Sequence, residues 1–198
     1  MFTGIVKEIG TVVSIKRGNP WNLGIRAGDI ASYAKRGDSI CVAGACLTVV
    51  DCAGDVFNVD ISTETIKKTV FSGIRSGMKL NLEPALTLQT PLDGHIVQGH
   101  VDMTGTIRQI SGNRQKSFRI RPEYDPGPLI VPKGSVAING VSLTIAEVLP
   151  GNEFTVSVIP VTLDKTDLKL RSAGDRVNIE YDILGKYVGE WVKRGWCK

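Results

Sequence analysis

The only two histidines of the chain lie five residues apart, in the stretch Asp93–Asp102. Histidine exchanges a proton near neutral pH more readily than any other side chain, so the pair is a candidate for proton transfer. Gly94 precedes His95 and Gly99 precedes His100, and glycine lets the backbone come close to a ligand. Histidines hydrogen-bonded at a domain junction are the plainer interpretation from residue type alone. Their spacing does not place them on one helix face, and no metal site is predicted.

A second set of polar residues surrounds a glycine turn that occurs twice, as Gly44–Val49 and Gly140–Ile145. Both copies follow the pattern Gly-x-(Cys/Ser)-Leu-Thr. Its thiol and hydroxyls could bind a heterocycle rich in C=O and N–H groups, and the thiol could act as a nucleophile. A strand edge with local hydroxyl–backbone bonds fits equally well, and a small buried core cysteine is a more ordinary interpretation of Cys46 than a nucleophile. The residues concerned are Ser39, Cys46, Thr48, Lys133, Ser135, Asn139, Ser142 and Thr144.

These motifs belong to an internal duplication. Four blocks recur in the same order at an almost constant offset, with Gly4 matching Gly99, Gly44 matching Gly140 and Gly77 matching Gly174. A fourth block matches Thr65–Thr69 with Thr162–Thr166. Two equivalent modules predict two equivalent pockets, which suits an enzyme that reacts two copies of one substrate with each other.

Each module has the pattern of a small β-domain. Short runs rich in Val, Ile and Thr are separated by turn residues, which predicts about six strands closing into a barrel. Short helices are expected near Thr65–Val70 and Pro128–Val131. The predicted strands are Thr11–Ile15, Leu47–Asp51, Phe57–Ile61, Thr106–Ile110, Leu143–Val148 and Phe154–Val158.

The pattern changes after Glu180. Apolar residues recur every three or four positions from Ile183 to Val192, which predicts an amphipathic helix. Such a helix could cap its own barrel or meet copies of itself in an oligomer, and the sequence leaves both open.

Composition excludes several protein classes. The net charge of +4 comes without a basic block, so nucleic acid is not an expected partner. No apolar run approaches a membrane span and the first residues do not resemble a signal peptide. The cysteines form no C-x-x-C pair, so we expect reduced thiols in a cytoplasmic protein. They are Cys41, Cys46, Cys52 and Cys197.

Taken together, four stretches resemble the signatures of the riboflavin synthase family. They are Met1–Val6, Gly44–Val49, Gly94–Asp102 and Lys133–Thr144. Each is weak alone, but together and in this order they are highly specific, and the resemblance covers most of residues 1–182.

The resemblance implies an all-β fold with two tandem six-stranded Greek-key barrels, at 1–89 and 90–182, and a C-terminal helix at 183–198 that bundles in a homotrimer. The implied reaction is the dismutation of two 6,7-dimethyl-8-ribityllumazine molecules, in which one gives a four-carbon unit to the other. The products are riboflavin and 5-amino-6-ribitylamino-uracil. No cofactor or metal is implied, and lumazine synthase is a candidate partner.

The resemblance also assigns roles. His100 is the candidate for proton transfer, Cys46 and Ser142 would face the donor and acceptor rings, and Thr144 would lie beside them with Thr48. Phe2 and Thr3 are expected at the mouth of the first pocket, and Glu64, Thr65 and Thr162 near the ribityl chains. The remaining predicted substrate contacts are Gly4, Ser39, His95, Gln98, Gly99, Lys133, Asn139 and Ile159.

The chain departs from the family pattern at two positions. Ala43 replaces the usual Asn of the first module, which puts one ligand hydrogen bond in doubt, and Val161 replaces a usual His. A related non-catalytic antenna protein that binds lumazine or flavin is the alternative. The intact second-module motif and the Gly-His pair favour the enzyme.

Overall fold

The computed structural model describes residues 1–195, and these residues form two closed barrels of six antiparallel strands each. Cys197 lies outside the described residues. The prediction of an all-β protein with two barrels is confirmed. The first barrel consists of β1 (Glu8–Lys16), β2 (Trp21–Arg26), β3 (Ser39–Val42), β4 (Ala45–Ala53), β5 (Val56–Ile61) and β6 (Lys79–Pro84). The second consists of β7 (Met103–Ser111), β8 (Lys116–Pro122), β9 (Ser135–Ile138), β10 (Val141–Leu149), β11 (Glu153–Val158) and β12 (Arg176–Tyr181).

Both barrels have a Greek-key order. The strands of the first barrel follow one another as β1-β2-β5-β4-β3-β6. Three consecutive strands, β3 to β5, are neighbours, and β6 returns to lie beside β3, which is the Greek-key arrangement. The second barrel repeats the pattern with β9, β10, β11 and β12.

The six predicted strands all lie within observed strands. Alternation explains why, as in β4, where Ala45, Leu47 and Val49 point inward and Cys46 and Thr48 point outward. Each barrel fills its interior mainly with apolar residues of its own module, although Val6 belongs to the second cluster and Val101 packs against the first; the two clusters share no residue. Each module therefore has its own core, while the polar side chains of alternate positions remain on the outer surface.

The described residues also form four α-helices. They are α1 (Gly28–Tyr33), α2 (Thr63–Lys68), α3 (Pro160–Lys165) and α4 (Ile183–Lys193). The predicted helix at Thr65–Val70 corresponds to α2, which begins two residues earlier because Ser62 caps it. A single 3-10 turn at Gly127–Leu129 lies where the second helix was expected. The helices α1 and α3, of six residues each, were not predicted.

The predicted C-terminal helix is confirmed as α4, which ends at Lys193 and not at the predicted 198, and most of its apolar side chains are exposed. Leu184, Tyr187, Val188, Trp191 and Val192 are each more than half exposed. Within residues 1–195, no helix is both long and apolar enough to cross a membrane.

The two barrels meet at a reciprocal pair of asparagines, Asn81 on β6 and Asn178 on β12. The Asn81 amide donates to the Asn139 carbonyl at 3.0 Å and accepts from the Asp167 N–H at 2.7 Å. The Asn178 amide donates to the Ala43 carbonyl at 2.7 Å and accepts from the Val70 N–H at 2.8 Å. Each asparagine therefore binds the matching turn and the matching segment of the other module.

This interface, rather than a ligand pocket, contains Asn139. Its side chain is fully buried, donates to Asp167 at 3.0 Å and accepts from the Asn178 N–H at 2.8 Å. The structure thus places Asn139 in the interface between the barrels, whereas a substrate contact was predicted. Ala43 occupies the same left-handed turn position, with φ of 46° against 47° for Asn139. Because alanine stands here, the first module has no side-chain amide at the position equivalent to Asn139.

Candidate functional site

Two short segments, which we call the start segments, precede the barrels at residues 2–6 and 97–101. They pair with each other through Phe2 and Val97, whose N–H and C=O groups exchange hydrogen bonds of 2.7 and 3.1 Å. Phe2, Val97, Cys41 and Ala137 form a small apolar cluster between the barrels. Because the segments cross here, each continues across the outer face of the other module's barrel.

A buried glutamate holds each start segment, because its carboxylate accepts hydrogen bonds from backbone N–H groups of that segment. The Glu83 carboxylate accepts from the N–H groups of Thr3 at 2.7 Å and Gly4 at 3.0 Å. In the second module, Glu180 accepts from Gln98 at 2.6 Å and Gly99 at 2.9 Å. Burial raises the pKa of both carboxyls, and these N–H groups act in the opposite direction by stabilising the charged form.

Each start segment docks on the glycine-turn hairpin of the opposite module. The Gly4 carbonyl accepts from the Ser142 N–H at 2.8 Å, and the Gly99 carbonyl accepts from the Cys46 N–H at 2.8 Å. A Cβ at Gly99 would lie 2.5 Å from the Cβ of Cys46, and one at Gly4 would lie 2.6 Å from that of Ser142. Both glycines also have positive φ. Only glycine fits at either position.

The first pocket is a cavity of about 270 Å³ on the first barrel. The second start segment forms one of its walls, so His100 lies opposite Cys46 and α2. Lys68 donates to Glu64 at 2.8 Å, and this bond lowers the pKa of the Glu64 carboxyl. The pocket therefore combines a thiol, an imidazole and an ion pair. Its lining residues are Ala45, Cys46, Glu64, Thr65, Lys68, Thr69, Gly99, His100 and Val101.

The second pocket is the equivalent cavity of about 200 Å³ on the second barrel. Here the first start segment is the wall, with Ile5 in the place of His100 and Val161 in the place of Glu64. Ser142 takes the place of Cys46, and its hydroxyl lies 2.7 Å from Nδ1 of His95. The lining residues are Gly4, Ile5, Val6, Val141, Ser142, Val161, Thr162, Lys165 and Thr166.

Four further predicted residues lie on the same hairpins but beyond the cavities. Ser39 faces Thr48 across β3 and β4, and Ser135 faces Thr144 across β9 and β10. In each hairpin the threonine is exposed and lies on the same outer face as Cys46 or Ser142. Ser39 lines a different cavity, with Ile30 and Pro84, and Ser135 lines one beneath α4. Cys41 pairs directly with Cys46 in the same hairpin.

Other predicted contacts lie elsewhere. Phe2 is fully buried and Thr3 nearly so, beneath the crossing of the start segments rather than at the mouth of the first pocket. Ile159 precedes α3 and is half exposed. Lys133 lies in the exposed turn before β9, with φ of 69°. Gln98 contributes its backbone N–H to Glu180.

Sequence reasoning missed Lys68, Lys165 and the glutamates that hold the start segments. The signal was present, because both modules contain the pattern Thr-x-x-Lys-Thr at Thr65–Thr69 and Thr162–Thr166. Both also place a Glu, at Glu83 and Glu180, at the end of the last matching block. Within residues 1–195, no group of three or more His, Cys, Asp or Glu side chains could hold a metal ion.

Comparison with known proteins agrees with this geometry. The model of the lumazine binding domain matches twice, at residues 3–85 and 98–182. The riboflavin synthase of Bacillus amyloliquefaciens is 41% identical over 98% of this chain and 91% of its own length. That of Mycobacterium tuberculosis is 40% identical over 95% of this chain and 96% of its own. The chain belongs to the riboflavin synthase family.

Solved structures show the same two-barrel fold in a more distant relative of this family. The crystal structure of LumP complexed with 6,7-dimethyl-8-(1'-D-ribityl) lumazine superimposes with a TM-score of 0.83 and 27% identity, covering 91% of this chain and 99% of LumP. The complex of LumP with riboflavin gives a TM-score of 0.84 at 28% identity.

Proposed function

We propose that the protein is a riboflavin synthase that converts two molecules of 6,7-dimethyl-8-ribityllumazine into riboflavin and 5-amino-6-ribitylamino-uracil. The observation that carries this proposal is the presence of two equivalent pockets, each with a wall from the opposite module. Two equivalent pockets suit two identical ligands. Membership of the riboflavin synthase family supplies the substrate.

The two reacting molecules must be brought together. Each cavity is smaller than the roughly 300–1000 Å³ of most small-molecule sites, which suggests that another surface completes it. A homotrimer in which the first pocket of one subunit faces the second pocket of its neighbour would supply that surface. The exposed apolar side of α4 supports such an assembly. Holding both reactants in this way makes the reaction effectively unimolecular.

The first pocket has the groups that the chemistry needs. The 7-methyl group of the lumazine is acidic because its anion is delocalised into the ring. His100 faces the cavity from the crossing start segment and would take or return this proton. Cys46 and Ser142 would contact the two rings, and Glu64 with Thr65 would hold a ribityl chain. Thr144 and Thr48 would extend these contacts along the hairpins.

Three further predictions accompany this proposal. Residues 1–89 and 90–182 are the two lumazine-binding units, with 183–198 as the trimerisation helix. The reaction needs no cofactor. The protein works in the cytoplasm, where lumazine synthase, which makes the substrate, is a candidate partner.

A direct assay tests the proposal. Purified protein is incubated with 6,7-dimethyl-8-ribityllumazine in buffer without cofactor, and products are separated by chromatography. We expect one riboflavin for every two lumazines consumed. Tight lumazine binding without riboflavin would instead identify an antenna-like binding protein. The His100→Ala variant provides the control, because it should bind lumazine and form riboflavin at least about 100-fold more slowly.

A further inference from the structure

Ser142 in the second pocket has a partner that its counterpart lacks. Nδ1 of His95 lies 2.7 Å from the Ser142 hydroxyl. The counterpart Cys46 has no histidine bonded to its thiol within residues 1–195. The bond between histidine and serine is therefore specific to the second pocket.

The backbone around His95 is fitted closely over this serine. A Cβ at Gly94 would lie 2.9 Å from the Cβ of Ser142 and 2.0 Å from the Thr3 carbonyl oxygen. The N–H of His95 donates to that same carbonyl at 3.2 Å. The absence of a side chain at position 94 thus brings the imidazole within hydrogen-bonding distance of Ser142.

The other ring nitrogen of His95 has no hydrogen-bond partner within residues 1–195. His95 is only 9% exposed, and its Nε2 is the one buried side-chain N or O atom of the described residues without a hydrogen-bond partner. Leaving such an atom unpaired costs about 1–3 kcal/mol. Burial also lowers the pKa of His95 and so disfavours the charged ring. Its single polar side-chain contact is therefore Ser142, and unpaired buried groups of this kind require an explanation.

We propose that His95 is a positioning residue of the second pocket, where its Nδ1 fixes the hydroxyl of Ser142 in the orientation that binds the lumazine ring. The proposal rests on the proposed function and deepens it. Under this proposal, His100 transfers the proton in the first pocket. In the second pocket, His95 acts only by orienting the hydroxyl of Ser142.

Two substitutions of similar size separate the two ring nitrogens. The amide of His95→Asn places a polar atom near the position of Nδ1, whereas that of His95→Gln places one near Nε2. We expect riboflavin formation by His95→Asn to stay within about 5-fold of the wild type. That by His95→Gln should fall about 100-fold, as expected when a binding group is displaced by about 1 Å. Equal rates in the two variants, or rescue by Gln rather than Asn, would overturn the proposal.

A double-mutant cycle tests the route through Ser142. If His95 acts through this hydroxyl, His95→Gln should lower the rate less than 2-fold further when Ser142→Ala is already present. Independent losses that multiply would contradict the proposal. Urea unfolding of each variant identifies effects that arise from folding.

The assay keeps this proposal distinct from the proposed function. A wild-type protein that binds the lumazine but makes no riboflavin would contradict the synthase activity alone. The same Asn and Gln variants would then be compared by lumazine affinity, measured from ligand fluorescence. Weaker binding by His95→Gln than by His95→Asn would support the role of His95, and equal affinities would overturn it.

Discussion

The two pockets have the same backbone and different chemistry. In both, a glycine of the crossing start segment lies against the hairpin residue, and a Thr-x-x-Lys-Thr helix forms the opposite wall. The first pocket adds His100 and Glu64 to this frame. The second has Ile5 and Val161 at the matching positions. The two pockets thus share one backbone frame, and of their lining residues only those of the first include a histidine and a carboxylate.

The interface between the barrels likewise combines equivalent backbone contacts with different side chains in the two modules. Asn81 and Asn178 make matching contacts, but the residues around them differ. On one side Asn139 and Asp167 form a buried polar pair with Arg171 beside the carboxylate. On the other side the equivalent positions are Ala43 and Val70. The amide and its carboxylate partner are therefore both absent from the first module, so neither is left buried without the other.

The largest expected effect comes from replacing each of the two matching pocket residues, His100 and Ile5, by alanine. His100→Ala should lower the rate of riboflavin formation by about 100- to 10,000-fold, the range for a lost proton-transfer group. Ile5→Ala, its structural counterpart, should lower the rate less than 10-fold. Steady-state assays of riboflavin formation, with lumazine binding measured in parallel, compare the two variants. Similar losses in both variants would mean that the pockets are not chemically distinct.

A side chain at Gly99 should disrupt the close contact between the second start segment and the hairpin of the first module. Gly99→Ala adds a Cβ 2.5 Å from that of Cys46 at a φ of 79°, and should destabilise the fold by about 3 kcal/mol. Gly77 has a φ of 87° with no described atom within 4 Å of an added Cβ, so Gly77→Ala should cost only about 1 kcal/mol. Urea unfolding measures both. Equal losses would show that backbone strain, not contact with the hairpin, requires glycine.

The asymmetry of the interface predicts unequal effects of two equivalent substitutions. Asn81→Ala removes a donor to the buried Asp167 carboxylate at 2.8 Å, whereas Asn178→Ala removes contacts to neutral backbone groups only. We expect losses of about 3 and about 2 kcal/mol in the free energy of unfolding, since bonds to charged groups are stronger. A larger loss for Asn178→Ala would contradict this ranking.

The smallest effect concerns the dependence of stability on pH. The pKa of His95 is lowered chiefly by burial, with Asp182 acting in the opposite direction. As the pH falls below 6.5, the ordinary pKa of histidine, the unfolded chain therefore takes up this proton before the folded protein does. Stability should fall as the pH falls from 6.5 towards the lowered value. Urea midpoints should depend less on pH, over about 5.5 to 7.5, in His95→Asn than in the wild type. Identical slopes would contradict the burial of a neutral imidazole.

The sequence by itself determined the architecture. The matching blocks beginning at Gly4 and Gly99 revealed the duplication, and alternating residues such as Leu47 and Val49 predicted strands that the structure contains. These features are local or repeated, so they can be recognised without knowing which segments meet. The same holds for Cys46 and Ser142, because both copies of the turn contain a polar residue at that position.

Only the tertiary structure decided which module supplies which wall. His100 belongs to the second module by sequence and to the first pocket by position, since its segment crosses over at Phe2 and Val97. Asn139 looked like a ligand contact and lies in the interface, because Asn178 and Asp167 surround it. These outcomes depend on contacts between residues far apart in the chain. Such contacts are set by how two closed barrels pack together, which no local pattern of residues specifies.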